Sequence, residues 1–362
     1  MQWFYAIIIL ACTSATHTVA APSQNNEQPP VSNSQNSSQN SSQNKSDPNQ
    51  DLNSNQNPDQ SQAKIPPKLI EASVDTILSK VRKSLNTLNY EAAFIQVRGK
   101  FAEPYEWAHG IYQGNEIEFL RSQSGPNLEI VRKGDVIGFF EAETPPYAVK
   151  GRVIEQILPA LFFDNSIELG DYYSIAVGGK SRIIDRAAQL VRIIAKDNFR
   201  FDYWLWLDMQ SSLILKSALV SKQGEVLEQF QLTRLNLLPE APQVTQKLSA
   251  TILPIPVKSP AISHLTPKWK INWLPQGFKV IARDQHKLSL TNEITDYIQL
   301  TDGLVELSIF IQPPLDSKIQ VGHVRSGSNI VAVYHAKGFD VSVIGKIPIQ
   351  TAERIAQSVT AS

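Results

Sequence analysis

Between Tyr90 and Asn236 the chain alternates short runs of β-branched and aromatic residues with Gly, Pro, Asn and Asp. The runs fall at 91–97, 106–112, 116–121, 128–131, 136–141, 172–177, 183–185, 189–196, 200–208, 213–221 and 227–236. Each has the length and composition of a strand. Lys133-Gly134, Asp197-Asn198 and Lys222-Gln223-Gly224 supply hairpin turns between them. Sequential strands joined so tightly pair as antiparallel neighbours. The fold class predicted is α+β: a large antiparallel sheet curled into a half-barrel, with covering helices. One helix is predicted over 70–88, where Ile70, Val74, Ile77, Leu78, Val81, Leu85 and Leu88 recur at three- and four-residue spacing. A second is predicted over 152–163, with Val153, Ile154, Ile157, Leu158 and Leu161 on one side and Pro159 bending it. An incompletely closed barrel can keep an apolar hollow under its helices.

The N-terminal part cannot contribute to such a core. No aromatic residue occurs between Tyr5 and Tyr90, and 23–63 is nearly all Ser, Asn, Gln, Asp and Pro, with Ser-Ser-Gln-Asn written twice. A tract with so little apolar surface cannot offset its ordering entropy, so 21–66 is expected to be a disordered spacer. Residues 1–20 read as an export signal: a short apolar run, then Thr18 and Ala20 placed for cleavage. The chain is then soluble in the periplasm. The alternative is Ile9-Leu-Ala-Cys12 as a lipobox, which would anchor the chain through lipidated Cys12. Cys12 is the one cysteine, so no disulfide and no thiolate metal site is expected in the mature chain.

Residues 67–238 form the predicted first domain. Pro239, Pro242, Pro254, Pro256, Pro260 and Pro267 mark 239–267 as an extended linker. A second domain over 268–362 is predicted to hold strands near 279–284, 288–291, 296–301, 305–312, 330–337 and 339–344, closed by a helix over 348–359.

Little in the chain suggests chemistry. Lys+Arg and Asp+Glu both number 34, so the chain is neutral and no nucleic-acid partner is expected. Gly178-Gly179-Lys180-Ser181 lacks the first glycine of a phosphate loop and reads as a hairpin turn. His17, His109, His264, His286, His323 and His335 show no ligand spacing, so no metal is expected. No nucleophile elbow occurs. The chain reads as a non-enzyme without cofactor. Asp185-Arg186 reads as a structural ion pair of little net value.

Several collinear blocks resemble the MucB/RseB family: Leu85-Asn-Thr-Leu88-Asn-Tyr90-Glu-Ala-Ala-Phe94, Asp185-Arg186 with Gln189–Asp197, Tyr203-Trp-Leu-Trp206-Leu-Asp208, and Gly224-Glu-Val-Leu-Glu228-Gln229-Phe230. The second domain adds Trp269-Lys-Ile-Asn-Trp273-Leu-Pro275-Gln-Gly277-Phe278, Asp302-Gly303-Leu304 and Gly345…Thr351-Ala352…Arg354-Ile-Ala356. The polar spacer and the lipobox depart from the family's usual pattern.

The resemblance implies a first domain like the lipoprotein carriers LolA and LolB, whose hollow takes lipid, lipopolysaccharide or mislocalised lipoprotein. It implies a second domain that docks the periplasmic region of an anti-sigma factor of the RseA/MucA kind and shields it from proteolysis. Self-association into a homo-oligomer is left open. Lipid-cavity candidates are Phe94, Phe119, Phe140, Phe162, Tyr203, Trp204 and Trp206, and partner-binding candidates are Trp269, Trp273 and Phe278. Tyr203–Trp206 has apolar side chains on both faces of one strand, which suits a doubly covered strand as well as a cavity wall. The alternative function is a periplasmic lipid or lipoprotein carrier.

Overall fold

In the computed structural model residues 74–154, 157–257, 268–287, 294–314 and 322–362 are described. The export signal, Cys12, the spacer, His17, His264, the start of the first helix and the strand predicted at 288–291 lie outside the described residues. Residues 67–362 pack as one unit, built from two lobes with separate sheets.

The first lobe opens with α1 (Val74–Thr87), followed by β1 (Asn89–Arg98), β2 (Phe101–Tyr112), β3 (Asn115–Ser122), β4 (Leu128–Lys133), β5 (Val136–Glu141) and β6 (Tyr147–Lys150). Then come β7 (Tyr173–Ile183), β8 (Arg186–Ala195), β9 (Asp202–Asp208), β10 (Ile214–Val220), β11 (Val226–Leu238), α2 (Gln243–Ser249) and β12 (Pro256–Val257). The sheet order is β12-β6-β5-β4-β3-β2-β1-β11-β10-β9-β8-β7, so the ends of the meander meet at its centre. Among the described pairs only β12 on β6 is parallel.

Alternation along the strands sets two faces. On the inner face lie Tyr90, Phe94, Trp107, Leu120, Ile130, Leu205 and Phe230, joined by the buried stripe Leu78, Val81 and Leu85 of α1. Arg82 fastens α1 by donating from Nε to the Leu161 carbonyl (2.7 Å), and Asn86 donates to that of Phe163 (2.8 Å). On the outer face Ala108, Phe119 and Val131 are covered by Val244 and Leu248 of α2 and by Leu253.

Three expectations are corrected. The described residues of 152–163 hold a 3₁₀ turn over Ala160–Phe162 in place of the predicted helix. Pro159 cannot donate a backbone hydrogen bond and disfavours helical geometry at Leu158. Ile154, Ile157, Leu158 and Leu161 are nonetheless buried. Gly178-Gly179 is not the hairpin turn but lies inside β7, where the register shifts between Val177 and Lys180. The turn falls at Ile184-Asp185 instead, so 183–185 is the end of β7 and its turn, not a separate strand. Finally, the part of 239–267 up to Val257 is no extended linker, because it carries α2 and β12, both packed on the first sheet; residues 258–267 lie outside the described ones.

The second lobe contains β13 (Trp269–Ile271), β14 (Lys279–Lys287), β15 (Ile294–Thr301), β16 (Glu306–Gln312), β17 (Gly322–Ser326), β18 (Asn329–Ala336), β19 (Phe339–Gly345), α3 (Ile349–Gln357) and β20 (Val359–Ala361). Its six-stranded antiparallel sheet runs β14-β15-β16-β19-β18-β17, and β13 pairs with β20. Thr351, Ala352, Ile355 and Ala356 of α3 are its buried side. Strand β17 was not predicted. Its described side chains are exposed, so it carries no apolar alternation to read.

Candidate functional site

The seven cavity candidates divide between the two faces of the first sheet. Register decides this, because residues paired across strands share a face. Phe230 pairs with Ser217, which pairs with Leu205, so Leu205 and its second neighbour Tyr203 face inward while Trp204 and Trp206 face outward. The outward indoles lie under cations, Arg192 at 5.8 Å from Trp204 and Lys216 at 4.9 Å from Trp206. By the same logic Phe119 and Phe140 face outward, against α2 and its following turn. Phe94, Phe162 and Tyr203 are the three on the inner side. Phe94 packs on Phe230 (4.7 Å) and Tyr105 (5.1 Å), and Phe162 on Tyr203 (5.7 Å). One hollow therefore cannot be lined by all seven.

The partner candidates are engaged within the chain. Trp269 donates from Nε1 to Asp296 (2.6 Å) and packs on Phe339 (4.6 Å). Trp273 meets Phe199 of the first lobe edge-on (5.2 Å) and lies 3.9 Å from the Arg354 guanidinium. Phe278 lies 4.9 Å from the guanidinium of Arg200, also from the first lobe.

Arg200 is the centre of this junction and is 0% exposed. Its Nε donates to Asp302 Oδ2 (2.6 Å), its other nitrogens to Asp197 and to the Gln276 carbonyl, and the Tyr172 ring lies 4.5 Å away. Asp302 also accepts from the Tyr173 hydroxyl (2.8 Å) and from the backbone N–H groups of Leu304 and Val305. These donors fix the position of the buried Asp302 side chain.

A second clasp stands on β11. Glu228 is 8% exposed. It accepts from Gln96 (2.6 Å) and Arg98 (3.4 Å) of its own lobe, and from Lys346 (2.9 Å) and Ser328 of the other. Burial pushes its carboxyl pKa up, but the charges of Lys346 and Arg98 and the bonds from Lys346 and Ser328 outweigh that and bring it down to about 2. Nearby, the glycine turns at Gly99 and Gly327 abut: a Cβ on Gly327 would lie 2.9 Å from Gly99 N.

Inside the first lobe a third polar group sits under α1. Arg132 donates to Glu118 (2.8 Å) and Glu116 (2.6 Å), Trp107 Nε1 donates to Glu118 (2.7 Å), and His109 Nδ1 donates to the Leu88 carbonyl (2.7 Å). None of these charged residues was read from the sequence as part of a buried clasp. The signal was a charge at an inward strand position, Glu118 beside Leu120 and Glu228 beside Phe230. The Asp185–Arg186 pair is also corrected: Asp185 bonds Arg182 (2.5 Å), whereas Arg186 grips Asp208 (3.0 and 2.9 Å). Asp208 lies across the sheet from Ala188, where strand pairing brings it within reach of Arg186. Among the described residues no group of three His, Cys, Asp or Glu could hold a metal ion, and no helix is long and apolar enough to cross a membrane.

Residues 73–251 match the family model of the MucB/RseB N-terminal domain, and 263–360 that of the MucB/RseB C-terminal domain. The sigma-E factor regulatory protein RseB of Escherichia coli K12 is 28% identical over 284 residues, covering 78% of this chain and 89% of that protein. The sigma factor AlgU regulatory protein MucB of Pseudomonas aeruginosa is 26% identical, over 81% of this chain and 92% of its own length. A crystal structure of MucB in complex with MucA(peri) superposes with a TM-score of 0.63 at 25% identity, over 79% of this chain and 98% of that one. Both lobes and the clasps between them fall within the matched stretch, and the chain belongs to the MucB/RseB family.

Proposed function

We propose that this chain is a negative regulator of sigma-factor signalling in an envelope-stress response. It acts in the periplasm, binds the periplasmic region of a membrane anti-sigma factor, and shields that region from proteolysis. The observation that carries this is the likeness to MucB in complex with MucA(peri), which extends over both lobes and nearly the whole of that chain. A carrier of lipid or lipoprotein would need only the first lobe.

The inner face of the first lobe is the lipid-sensing element. Phe94, Phe162 and Tyr203 form its wall, and α1 is its cover, held by Arg82 and Asn86. The rings fill the space under α1, so an acyl chain enters only as α1 lifts and takes the place of the stripe Leu78, Val81 and Leu85. Trp269 and Trp273, both half-buried on the second lobe, are the rings nearest to offering a partner contact.

The test is calorimetric titration of the full chain with the periplasmic segment of its cognate anti-sigma factor, followed by digestion of that segment with the site-one protease. Saturable binding and slowed cleavage are expected. A segment that neither binds nor is protected overturns the proposal.

A further inference from the structure

The turn that joins β7 to β8 is strained. Ile184 has φ of 44° and Asp185 of 64°, the left-handed region that β-branched residues almost never occupy. Glycine or asparagine would make this turn without strain. Backbone strain of this kind collects at binding sites.

What the turn faces is a cleft. Arg182, Ile184, Asp185 and Arg186 from the hairpin, with Thr233, Arg234 and Leu235 from β11, line an open space of about 560 Å³. Ile184 and Leu235 rest against the apolar core and give the cleft a greasy floor. The charges above that floor do not balance. Arg182 is paired with Asp185 and Arg186 with Asp208, whereas the exposed Arg234 makes no ion pair among the described residues. Three guanidinium groups thus face two carboxylates.

We propose that this cleft binds a phosphate-bearing ligand. Arg234 and Arg182 grip the phosphate oxygens and an apolar stem lies on Ile184 and Leu235. The planar fork of arginine matches phosphate in two-point contact. The apolar floor of Ile184 and Leu235 beside the arginines offers a place for more than the anion. A lipid headgroup and a free phosphate ester share this chemistry. The anion site stands on the cleft alone; the acyl stem rests on the reading of this lobe as lipid-sensing.

The experiment uses the full chain and three probes: phosphatidylcholine vesicles containing phosphatidic acid, pure phosphatidylcholine vesicles, and inorganic phosphate. Arg182→Ala, Arg234→Ala and the double variant are compared with wild type, with thermal melts to verify that the exposed substitutions leave the fold intact. Phosphatidic acid vesicles are expected to bind, roughly ten-fold more weakly for each arginine removed, the size of a lost charged hydrogen bond, and more weakly as salt rises. Inorganic phosphate that binds in an arginine-dependent way while vesicles do not upholds the anion site and removes the lipid source. Vesicles that bind regardless of phosphatidic acid and of either arginine overturn the cleft but leave lipid sensing standing. Binding of neither phosphate probe overturns the proposal outright.

Discussion

Glu228→Gln tests the junction between the lobes most directly. The substitution keeps the shape of the side chain and removes its charge. The carboxyl pKa falls from an ordinary 4.5 to about 2 in the folded chain. That difference corresponds to roughly 3 kcal/mol of stability above the unfolded-state value. The sign follows from the direction of the shift: a depressed folded pKa stabilises at neutral pH, and this contribution drains away between pH 4.5 and 2 as Glu228 takes up a proton. At pH 3 somewhat less than half of it should remain. Glutamine also turns an amide N–H₂ toward the donors Lys346, Ser328, Gln96 or Arg98, which adds to the cost at pH 7. The assay is urea unfolding followed by tryptophan emission, run for both proteins from pH 7 to pH 2. Wild type should lie about 3 kcal/mol above the variant at pH 7, and the two should converge on acidification. A gap below about 1 kcal/mol at pH 7, or curves that stay parallel through pH 4.5 to 2, refutes the reasoning.

Other perturbations probe the same packing. Arg200→Met should cost about 3–5 kcal/mol because it strands the buried Asp302 carboxylate, and Arg200→Met with Asp302→Leu should recover most of that loss in the same unfolding assay. Gly327→Ala places a methyl group 2.9 Å from Gly99 N at a residue with φ of 61°; a loss of about 1–3 kcal/mol is expected, with faster proteolysis between the lobes. Glu118→Ala removes the acceptor of Trp107 and one of the two carboxylates on Arg132, and about 2–4 kcal/mol should be lost on denaturant titration because buried Arg132 keeps only Glu116 and the indole N–H keeps no acceptor.

The first lobe was legible wherever a strand alternated. Residues 91–97 and 128–131 wrote their inward side as Ala92, Phe94 and Ile130, and the hairpins at Gly134 and Gly224 followed from their turn residues. It was illegible where tertiary contact outranks local pattern. Residues 152–163 carry helical spacing, yet Pro159 prevents the helix and burial on the sheet supplies the same apolar signal. The prolines of 239–257 suggested an extended run, but Pro242 sits just before α2, a place where a missing N–H costs nothing. The candidate rings are buried or half-buried, yet which face each one takes depends on register. Register is fixed by pairs such as Phe230 with Gln96 and Ser217 with Phe230, which no single stretch of sequence contains. The clasps were hidden for a related reason: Arg200 meets Asp302 across 102 positions of chain.

Those clasps also bear on how a ligand in one lobe can be felt in the other. Glu228 lies two residues before Phe230 on β11 and faces the same side, and Arg200 precedes by three residues Tyr203, which packs on Phe162. Both clasps thus stand on, or two residues before, strands that wall the inner face. On the proposed lipid-sensing reading, an acyl chain that takes the place of Leu78, Val81 and Leu85 also presses on Phe94, Phe162 or Tyr203, and a filled core shifts its neighbours rather than absorbing the strain. The displaced strands carry Glu228 and Arg200 with them. Both are buried ions whose partners are arranged for one geometry, so small shifts are costly and separation of the lobes becomes the cheaper response. A coupling that bypasses the clasps would need no such ions. The two routes part on one comparison: with the Arg200→Met, Asp302→Leu pair in place of the ion pair, the proposed release of the anti-sigma segment by lipid should be weaker, whereas a coupling that bypasses the clasps would leave release unchanged.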